Sequence, residues 1–401
     1  MAKTSRSPHR GGKARPAQVG IAMLGYGLMG RAHSLGYRDA VVVQPDLPVQ
    51  PSLRVLCGRT KDAVEAAAAR YGFADWTTDW EDAIRRPDVD IVDICTPPGA
   101  HRAAVEAAAA AGKAVICEKP LASSREDAFA AARAVHEAGT LAAVSFNYRR
   151  LPAVTLMKEL IDEGVIGVPR AVRAIWLTDE FADPAIPFDW RFDRVTGGTV
   201  TGDLGVHLID LVHWLVGRVT AVTANSATFI TERVNPAGGG VLPVRTDDSA
   251  SALAQLSTGA VAVFEMTRVA IGRPCDWTIE ISGSEGSIGF DYRNLNEIWL
   301  AVAGDTRTDG FRRIRAEKPG HPYSGRWWPQ GQGIGYQESF TNQVADLLQA
   351  WPDGPWWPTV DDAAAAQAVV EAIDESAAQR CWVDVQETPW AASPQARSGR
   401  P

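Results

Sequence analysis

The sequence of 401 residues is poor in cysteine and contains no long apolar run. Its five cysteines include no C-x-x-C pair, and such a sparse, odd-numbered set argues against a disulfide framework and for a reducing compartment. No apolar stretch approaches the about 20 residues that a transmembrane helix requires. Basic residues are not in excess either: 40 Lys and Arg against 48 Asp and Glu give a net charge of −8, which disfavours sequence-independent binding to nucleic acid.

The first residues are basic but do not resemble a secretory signal. The apolar run at 19–24 leads directly into a glycine loop, whereas a signal peptide needs an apolar segment of about 7–15 residues. We therefore expect a disordered basic tail over residues 1–17, a second tail over residues 386–401, and a cytoplasmic protein without nucleic-acid or membrane partners.

Strand and helix signals alternate over the first third of the chain. Apolar, strand-like runs at 19–24, 52–57, 89–95, 114–117 and 141–146 are separated by helical, often Ala-rich segments. Three of these helices are expected to stop at Gly72, Gly112 and Gly139, and Ser123 with Glu126 has the spacing of a capping box. The alternation predicts βαβ units and a parallel sheet over residues 18–147.

Beyond residue 150 the pattern changes to alternating strand-like runs with few helices between them. These runs lie at 171–177, 221–230, 249–256, 260–269, 276–282 and 287–290. The turn signal Thr258-Gly259 predicts a hairpin, and consecutive strands without helices predict an antiparallel sheet. With final helices near 339–350 and 361–379, we expect a second α/β domain over residues 148–385.

A G-x-G-x-x-G motif follows the first predicted strand and opens the first helix. Such a turn lets backbone N–H groups approach a diphosphate at the positive end of a helix, so the context favours dinucleotide binding over a purely structural turn. We expect cofactor contacts from Gly25, Gly27, Leu28, Met29 and Gly30.

The end of the second strand carries no carboxylate to accept the ribose hydroxyls that distinguish NAD. Arg59 stands there instead. Because its guanidinium is suited to a 2′-phosphate, this position favours NADP. If Arg59 only stacks on adenine, NAD remains usable, so the cofactor is NAD or NADP.

Two further strand ends face the crevice of a doubly wound sheet. Thr96 and Pro97 are expected to border the cofactor, and His101 either contacts it or bonds a backbone carbonyl. Glu118 and Lys119 end the fourth strand and are expected to contact the cofactor there, where a lysine can also orient and polarise a hydroxyl or carbonyl group. Pro120 comes next, and its preceding peptide bond is a candidate for the cis form.

Asp203 and His207 are spaced i,i+4 on a predicted helix and so share one face. The pair suits proton transfer. It is also compatible with two metal ligands, although the sequence supplies no further partners and we predict no metal site. In a third alternative, Asp203 caps the helix and His207 packs in the core.

These motifs, in this order and spacing, resemble the glucose–fructose oxidoreductase, inositol dehydrogenase and MocA (Gfo/Idh/MocA) family over nearly the whole chain. The resemblance implies an N-terminal Rossmann domain and a C-terminal α/β domain with a large, open, mostly antiparallel sheet. That sheet commonly forms a homodimer or homotetramer interface in the family. It also implies Lys119, Asp203 and His207 as catalytic and substrate-binding residues in hydride transfer between a sugar or polyol CHOH and the nicotinamide.

The stretches at 187–192, 264–268, 321–323, 327–329 and 335–336 resemble the inositol and levoglucosan dehydrogenase subgroup. There the resemblance implies Trp190, Arg191 and Tyr336 beside the nicotinamide and Tyr148 beside the sugar. The chain reads Gly335-Tyr336-Gln337-Glu338 where close relatives tend to have Gly-Tyr-Glu-His, which weakens the case for an anhydrosugar.

The hypothesis is an NAD(P)-dependent dehydrogenase acting on a ring CHOH of a sugar, anhydrosugar, inositol or glycoside. Two alternatives remain: a redox-neutral enzyme that recycles tightly bound NAD, and a non-catalytic nucleotide sensor or interaction protein.

Overall fold

The computed structural model describes residues 17–304 and 310–388. Most of both predicted tails therefore lies outside the described residues. Ala17, which the prediction assigned to the N-terminal tail, is the first residue of the first strand. Among the described residues, no helix combines the length and apolar character that crossing a bilayer demands.

The N-terminal part is a parallel sheet with helices between its strands. Its elements are β1 (Ala17–Leu24), α1 (Leu28–Val43), β2 (Val49–Cys57), α2 (Lys61–Tyr71), β3 (Asp75–Thr77), α3 (Trp80–Arg85), β4 (Ile91–Ile94), α4 (His101–Ala110), β5 (Ala114–Glu118), α5 (Arg125–Ala138) and β6 (Ala142–Ser145). The strand order is β3-β2-β1-β4-β5-β6, and every neighbouring pair is parallel. The chain reverses its direction of winding between β1 and β4, where a doubly wound sheet opens a ligand crevice.

Local signals located most of these elements. Gly72 and Gly139 adopt left-handed conformations that end α2 and α5, as predicted. The capping box was placed one residue too early, because Ser124, not Ser123, accepts the N–H of Asp127. The short elements β3 and α3 were not predicted, since three to six residues are too few for a clear hydrophobic period.

The C-terminal part is built around a second sheet. Its elements are α6 (Pro152–Asp162), β7 (Pro169–Leu177), α7 (Val206–Leu215), β8 (Val219–Ala227), β9 (Glu232–Val234), β10 (Val241–Pro243), β11 (Ser249–Leu256), β12 (Val261–Thr267), β13 (Asp276–Gly283), β14 (Gly286–Asp291), β15 (Glu297–Val302), β16 (Arg312–Arg315), α8 (Tyr336–Gln349), α9 (Val360–Gln379) and β17 (Val383–Asp384). Over the described residues this sheet has the order β16-β15-β14-β13-β7-β12-β11-β8-β17, and β9 pairs with β10 separately.

All neighbours in the large sheet are antiparallel except β7 and β12. The expected open, mostly antiparallel sheet is therefore confirmed, as is the hairpin of β11 and β12, whose turn contains Gly259 at φ +83°. Buried and exposed residues alternate along both of these strands. One face packs into the core, and the other presents Leu253, Val261 and Val263 to solvent.

Helix α8 returns to the N-terminal sheet although the sequence prediction placed it in the second domain. Val344, Leu347 and Leu348 share a hydrophobic core with β1, α1 and β2. The N–H of Val144 in β6 also donates to the carbonyl of Pro358, at 2.9 Å. The two parts are therefore joined by more than the segment near Asn147, and the predicted domain limits remain predictions.

Candidate active site

A glycine turn joins β1 to α1 beside the point where the parallel sheet reverses. Gly25 has φ +106°, and a Cβ there would lie 2.5 Å from the carbonyl oxygen of Cys95. At Gly30 a Cβ would lie 2.1 Å from the carbonyl oxygen of Gly25, whereas at Gly27 it would meet no atom within 4 Å. The first turn of α1 has no side-chain cap and no acidic residue. The turn therefore leaves open space in front of unpaired N–H groups, which is the arrangement that binds phosphate.

A cleft of about 1250 Å³ extends from this turn to the second sheet. Most of the residues predicted from the sequence line it. They are Gly25, Gly27, Leu28, Met29, Arg59, Thr96, Pro97, Glu118, Lys119, Tyr148, Trp190, Arg191, Asp203, His207 and Tyr336. Gly30 lies behind the turn and is buried, so it acts through the backbone geometry described above.

His101 stands apart from the rest of the predicted set. Its side chain is fully buried, with Nδ1 at 2.8 Å from the carbonyl oxygen of Pro120 and Nε2 at 2.7 Å from that of Thr96. Because both ring nitrogens face main-chain oxygens, the geometry favours the backbone-bonding alternative over the expected cofactor contact. The imidazole lies between the segments that follow β4 and β5, and its single N–H donates to one of the two carbonyl oxygens.

Lys119 and Asp203 meet in the cleft although 84 residues separate them. The Lys119 ammonium donates to the carbonyl oxygen of Asp203 at 2.8 Å and to its Oδ1 at 3.0 Å. Nε of Arg191 lies 3.5 Å from the other carboxylate oxygen of Asp203. An ammonium has three donors, so Lys119 retains one for an oxygen atom of a substrate. The peptide bond between Lys119 and Pro120 is cis, the form for which Pro120 was a candidate.

The charge of Asp203 is maintained by these cations. Burial alone raises the pKa of its carboxyl group, but the nearby charges of Lys119 and Arg191 lower it to about 2. Asp203 is therefore an anion at every pH at which the folded protein is expected to work. It acts as a hydrogen-bond acceptor, not as a proton donor.

The segment carrying Asp203 is a π-helical turn, and not the start of a regular α-helix. Residues Thr201–Gly205 form this turn, and α7 follows from Val206. The i,i+4 argument from an ideal helix is therefore inexact, although Asp203 and His207 both line the cleft. π-Helical turns occur often at functional sites because they redirect side chains within a helix.

His207 is held by aromatic rings. Its imidazole stacks on Trp176 at 5.4 Å between ring centroids and meets the edge of Tyr148 at 4.8 Å. Nδ1 is buried without a hydrogen-bond partner among the described residues. Burial first, and then the positive charge of Lys119, lower the pKa of His207 well below its usual value. The ring is consequently neutral near pH 7 and is able to accept a proton.

The loop 189–192 and Tyr336 close the cleft between the two sheets. Asp189 caps the short turn of residues 190–192 by accepting the N–H of Arg191 at 2.8 Å. The Arg191 guanidinium lies over the ring of Trp190, 4.4 Å from its centroid. Tyr336, the first residue of α8, has its ring 6.2 Å from that of Tyr148. These contacts place several flat, apolar surfaces around the middle of the cleft.

Gln337 and Glu338, where the sequence departs from the expected Gly-Tyr-Glu-His pattern, have structural contacts. The Gln337 amide donates to the carbonyl oxygen of Ala32 on α1 at 2.9 Å. Glu338 accepts the N–H of Gly335 at 3.0 Å and so caps its own helix. Both side chains are thus engaged in holding α8.

Sequence reasoning missed Trp176 and Glu180. Trp176 is an inward residue of β7, and the alternation of buried and less buried residues along this strand predicts only a core position. Glu180 lies just beyond the same strand, lines the cleft and has no side-chain hydrogen bond or ion pair among the described residues. Its pKa is raised first by burial, while the charge of Arg191 lowers it. Its position after a strand end was a signal, but that strand belongs to the antiparallel sheet, where strand ends do not mark a site.

The residues of the cleft fit a nicotinamide dinucleotide. The open space at Gly27 matches a diphosphate, and the volume accommodates a long ligand together with a small second molecule. Arg59 is exposed beyond β2 and has no ion pair among the described residues, so it is available at the ribose end.

Comparison with known proteins agrees with this geometry. Residues 19–146 match the model of an oxidoreductase family with an NAD-binding Rossmann fold, and residues 154–289 match that of the GFO/IDH/MocA C-terminal domain. The chain is 38% identical to levoglucosan dehydrogenase of Pseudarthrobacter phenanthrenivorans, over 92% of this chain and 98% of that protein. It is 28% identical to inositol 2-dehydrogenase of Rhizobium meliloti, over 92% and 99%.

Solved structures show the same likeness. An oxidoreductase domain protein from Kribbella flavida is 42% identical, with a TM-score of 0.89 over 92% of this chain and all of that one. Levoglucosan dehydrogenase in complex with NADH and L-sorbose is 38% identical, with a TM-score of 0.88 over the same shares. The predicted resemblance is therefore confirmed: the chain belongs to the Gfo/Idh/MocA oxidoreductase family.

Proposed function

We propose that the protein is an NAD(P)-dependent dehydrogenase that oxidises a ring CHOH group of a neutral sugar, anhydrosugar or inositol. The observation that carries the proposal is the meeting of Lys119, Asp203 and a neutral His207 in one cleft with a glycine turn suited to a diphosphate. Dehydrogenases of levoglucosan and inositols among the relatives support this substrate class.

The cofactor would be held by residues along the first sheet. Gly25, Gly27 and the N-terminus of α1 would receive the diphosphate, and Thr96 and Pro97 would border the nicotinamide half. The bound nicotinamide supplies the hydride acceptor. Trp190, Arg191 and Tyr336 would cover it from the side of the second sheet and exclude water from the reacting carbon.

Lys119 would hold the oxygen atom that reacts. Its third N–H is free for the substrate hydroxyl, and its positive charge stabilises that oxygen as the proton leaves. Asp203 would keep the ammonium in place and accept a neighbouring hydroxyl group of the sugar. Because Lys119 is anchored at two points, the oxygen binds at a defined position instead of following a mobile side chain.

His207 would be the general base. A ring that is neutral at pH 7 takes the hydroxyl proton during oxidation, and stacking on Trp176 keeps its plane fixed. The same histidine returns the proton in the reverse direction. Tyr148, whose ring meets that of His207 at 4.8 Å, would border the sugar together with Trp176.

The choice between NAD and NADP depends on the residues at the end of β2, which would face the adenosine ribose. Arg59, with no carboxylate at the end of β2, favours a 2′-phosphate. The NADH complex of the levoglucosan dehydrogenase relative supports NAD instead. We propose that Arg59 lies beside the adenosine ribose, where it pairs with the 2′-phosphate of NADP and leaves NAD able to bind, with the preference decided by direct comparison.

The exposed face of the large sheet suits self-association. Leu253, Val261 and Val263 lie on neighbouring strands and are each more than 40% exposed. Apolar side chains on a broad sheet face gain about 25 cal/mol per Å² when a second copy covers them. We propose a homodimer or homotetramer through this face.

The test is a panel of sugars, anhydrosugars and inositols assayed with each cofactor by NADH or NADPH formation. His207→Ala and Lys119→Ala should each lower kcat by about 1000-fold or more, a loss typical of removing an acid/base or oxyanion group, with NADH binding retained. His136→Ala and Lys158→Ala, on α5 and α6, serve as matched controls. Full activity of either active-site variant contradicts the assigned roles. Copurified cofactor with conversion but no net NADH formation supports the redox-neutral alternative.

A further inference from the structure

A buried histidine lies between two carboxylates beside the glycine turn. His33 is on α1, three residues after Gly30, and is 1% exposed. Its Nδ1 lies 2.9 Å from both carboxylate oxygens of Asp93, and its Nε2 lies 2.9 Å from Oε1 of Glu118. A neutral imidazole has a single N–H and can donate to one of these groups only. Both carboxylates are satisfied when the ring is an imidazolium.

The surroundings of His33 support the charged form. Burial is the largest single influence and lowers its pKa, but the charge and hydrogen bonds of Asp93, with a further contribution from Cys95, together outweigh burial and raise the pKa of His33 well above the usual value. The hydroxyl oxygen of Ser145 in β6 lies 3.3 Å from Nε2 of His33. The same oxygen accepts a hydrogen bond from the side-chain amide of Gln343 in α8, at 2.9 Å. The polar groups around this cluster, from every element that packs on it, are Tyr37, Asp93, Cys95, Cys117, Glu118, Ser145, Tyr336 and Gln343.

Glu118 connects the imidazolium to the proposed catalytic lysine. While Oε1 binds His33, Oε2 accepts the backbone N–H of Lys119 at 3.0 Å. The Lys119 ammonium in turn binds Asp203. A continuous chain of hydrogen bonds thus runs from β4 through α1 to the segment after β5.

A metal site is a weaker explanation of the same cluster. The potential ligand atoms of His33, Asp93 and Cys95 lie within 4.8 Å of one another. However, Nδ1 is already bonded to Asp93, and the second ring nitrogen is bonded to Glu118. The hydrogen-bond pattern therefore accounts for the group without an ion.

We propose that His33 is a positioning residue whose imidazolium holds Glu118, and through it the backbone of Lys119, at a fixed position relative to the glycine turn. Because α1 begins at that turn, one side chain ties the diphosphate end of the cleft to the residue that holds the reacting oxygen. Glu118, expected from the sequence to contact the cofactor, is given the role of the connecting group. The inference rests on the proposed role of Lys119.

The first experiment requires no substrate. Nitrogen NMR of histidine-labelled protein, with His33→Gln used to assign the signal, should show both ring nitrogens of His33 protonated at about pH 8, where an ordinary imidazole has lost its second proton. In addition, acetylation of Lys119, followed by mass spectrometry, should be faster in Glu118→Gln than in the unsubstituted protein. A neutral His33 ring at that pH, or unchanged Lys119 reactivity, overturns the proposal.

The second experiment measures turnover. Glu118→Gln and His33→Gln should lower kcat by about 10- to 100-fold, the usual effect of displacing a reacting group by about 1 Å, with KM for the cofactor nearly unchanged. His136→Gln, which alters a surface histidine paired with Asp361, is the matched control and should leave kcat unchanged. Should His33→Gln fail to fold, Glu118→Gln decides by the same criterion.

The outcomes separate the two proposals. If kcat stays within about twofold, or if cofactor affinity falls as much as kcat, His33 has only a structural role. If the unsubstituted protein converts no sugar, the proposed function fails, and the imidazole spectrum together with Lys119 reactivity still decides whether the positioning network exists.

Discussion

Gly27→Ala adds one methyl group and should weaken cofactor binding while leaving the stability of the fold nearly unchanged. Gly27 has φ −71° and ψ −155°, which any residue adopts, and a Cβ there would meet nothing within 4 Å. Replacing glycine by alanine restricts the unfolded chain and contributes about 0.4–1 kcal/mol of stability, while alanine is a poorer helix N-cap than glycine by about 0.5–1 kcal/mol. The free energy of unfolding of the cofactor-free protein should therefore change by less than about 1 kcal/mol.

Cofactor binding should respond differently. The added methyl group occupies the space that the structure leaves in front of the first N–H groups of α1, so a diphosphate must retreat from them. We expect NADH affinity to fall by about 10- to 100-fold, equivalent to about 1.4–2.7 kcal/mol. Fluorescence titration with NADH measures this loss, and denaturant unfolding without cofactor measures stability.

Gly30→Ala provides the matched comparison. A Cβ there would lie 2.1 Å from the carbonyl oxygen of Gly25, so the turn itself must move. Overpacking of this kind costs about 1–3 kcal/mol of stability, and Gly30→Ala should unfold more easily even without cofactor. The reasoning is refuted if Gly27→Ala binds NADH normally, or if the two variants lose stability equally.

Three further predictions concern charge. Arg59→Glu should raise KM for NADP by about tenfold or more while changing KM for NAD much less, because a carboxylate repels the 2′-phosphate; equal effects on both cofactors would contradict a role at the ribose. The pKa of Asp203, lowered from 3.8 to about 2, contributes about 2 kcal/mol at neutral pH, and this stability is lost as pH falls from about 5 to 2. Urea unfolding across that range should show a loss about 2 kcal/mol larger in the unsubstituted protein than in Asp203→Asn, in which the other carboxylates still titrate. Glu180→Gln should raise KM for a neutral polyol by about tenfold, or about 1.4 kcal/mol, with kcat retained, whereas Glu137→Gln on α5 should have no effect; an unchanged KM would place Glu180 outside the sugar site.

The features predicted correctly from the sequence are those with local causes. The glycine motif, the helix stops at Gly72 and Gly139, and the alternation of strands and helices each depend on a few neighbouring residues. The parallel order then follows because strands separated by helices cannot pair as hairpins. Lys119 was found for the same reason, since the carboxyl ends of parallel strands meet at one edge of the sheet.

Features that depend on the tertiary neighbour were missed or mistaken. His101 and His33 are both histidines beside the glycine crevice, and composition does not distinguish their roles. One lies between two main-chain carbonyl oxygens, and the other bonds carboxylates 60 and 85 residues away. The extra residue of the π-helical turn at Thr201–Gly205 is likewise invisible to a spacing argument based on an ideal helix.

The two sheets supply residues with different roles, and this explains why the reaction class was easier to predict than the substrate. Residues that bind the diphosphate and hold the reacting oxygen follow strands of the parallel sheet, where position along the chain already indicates function. The proposed base, His207, is oriented by Trp176 of β7, and Glu180 follows the same strand. In an antiparallel sheet an inward tryptophan is first a core residue, and only its stacking on an imidazole in the cleft indicates more. Substitutions after β7 should therefore change which sugar is accepted, while substitutions at the ends of β1, β4 and β5 should abolish turnover of every sugar.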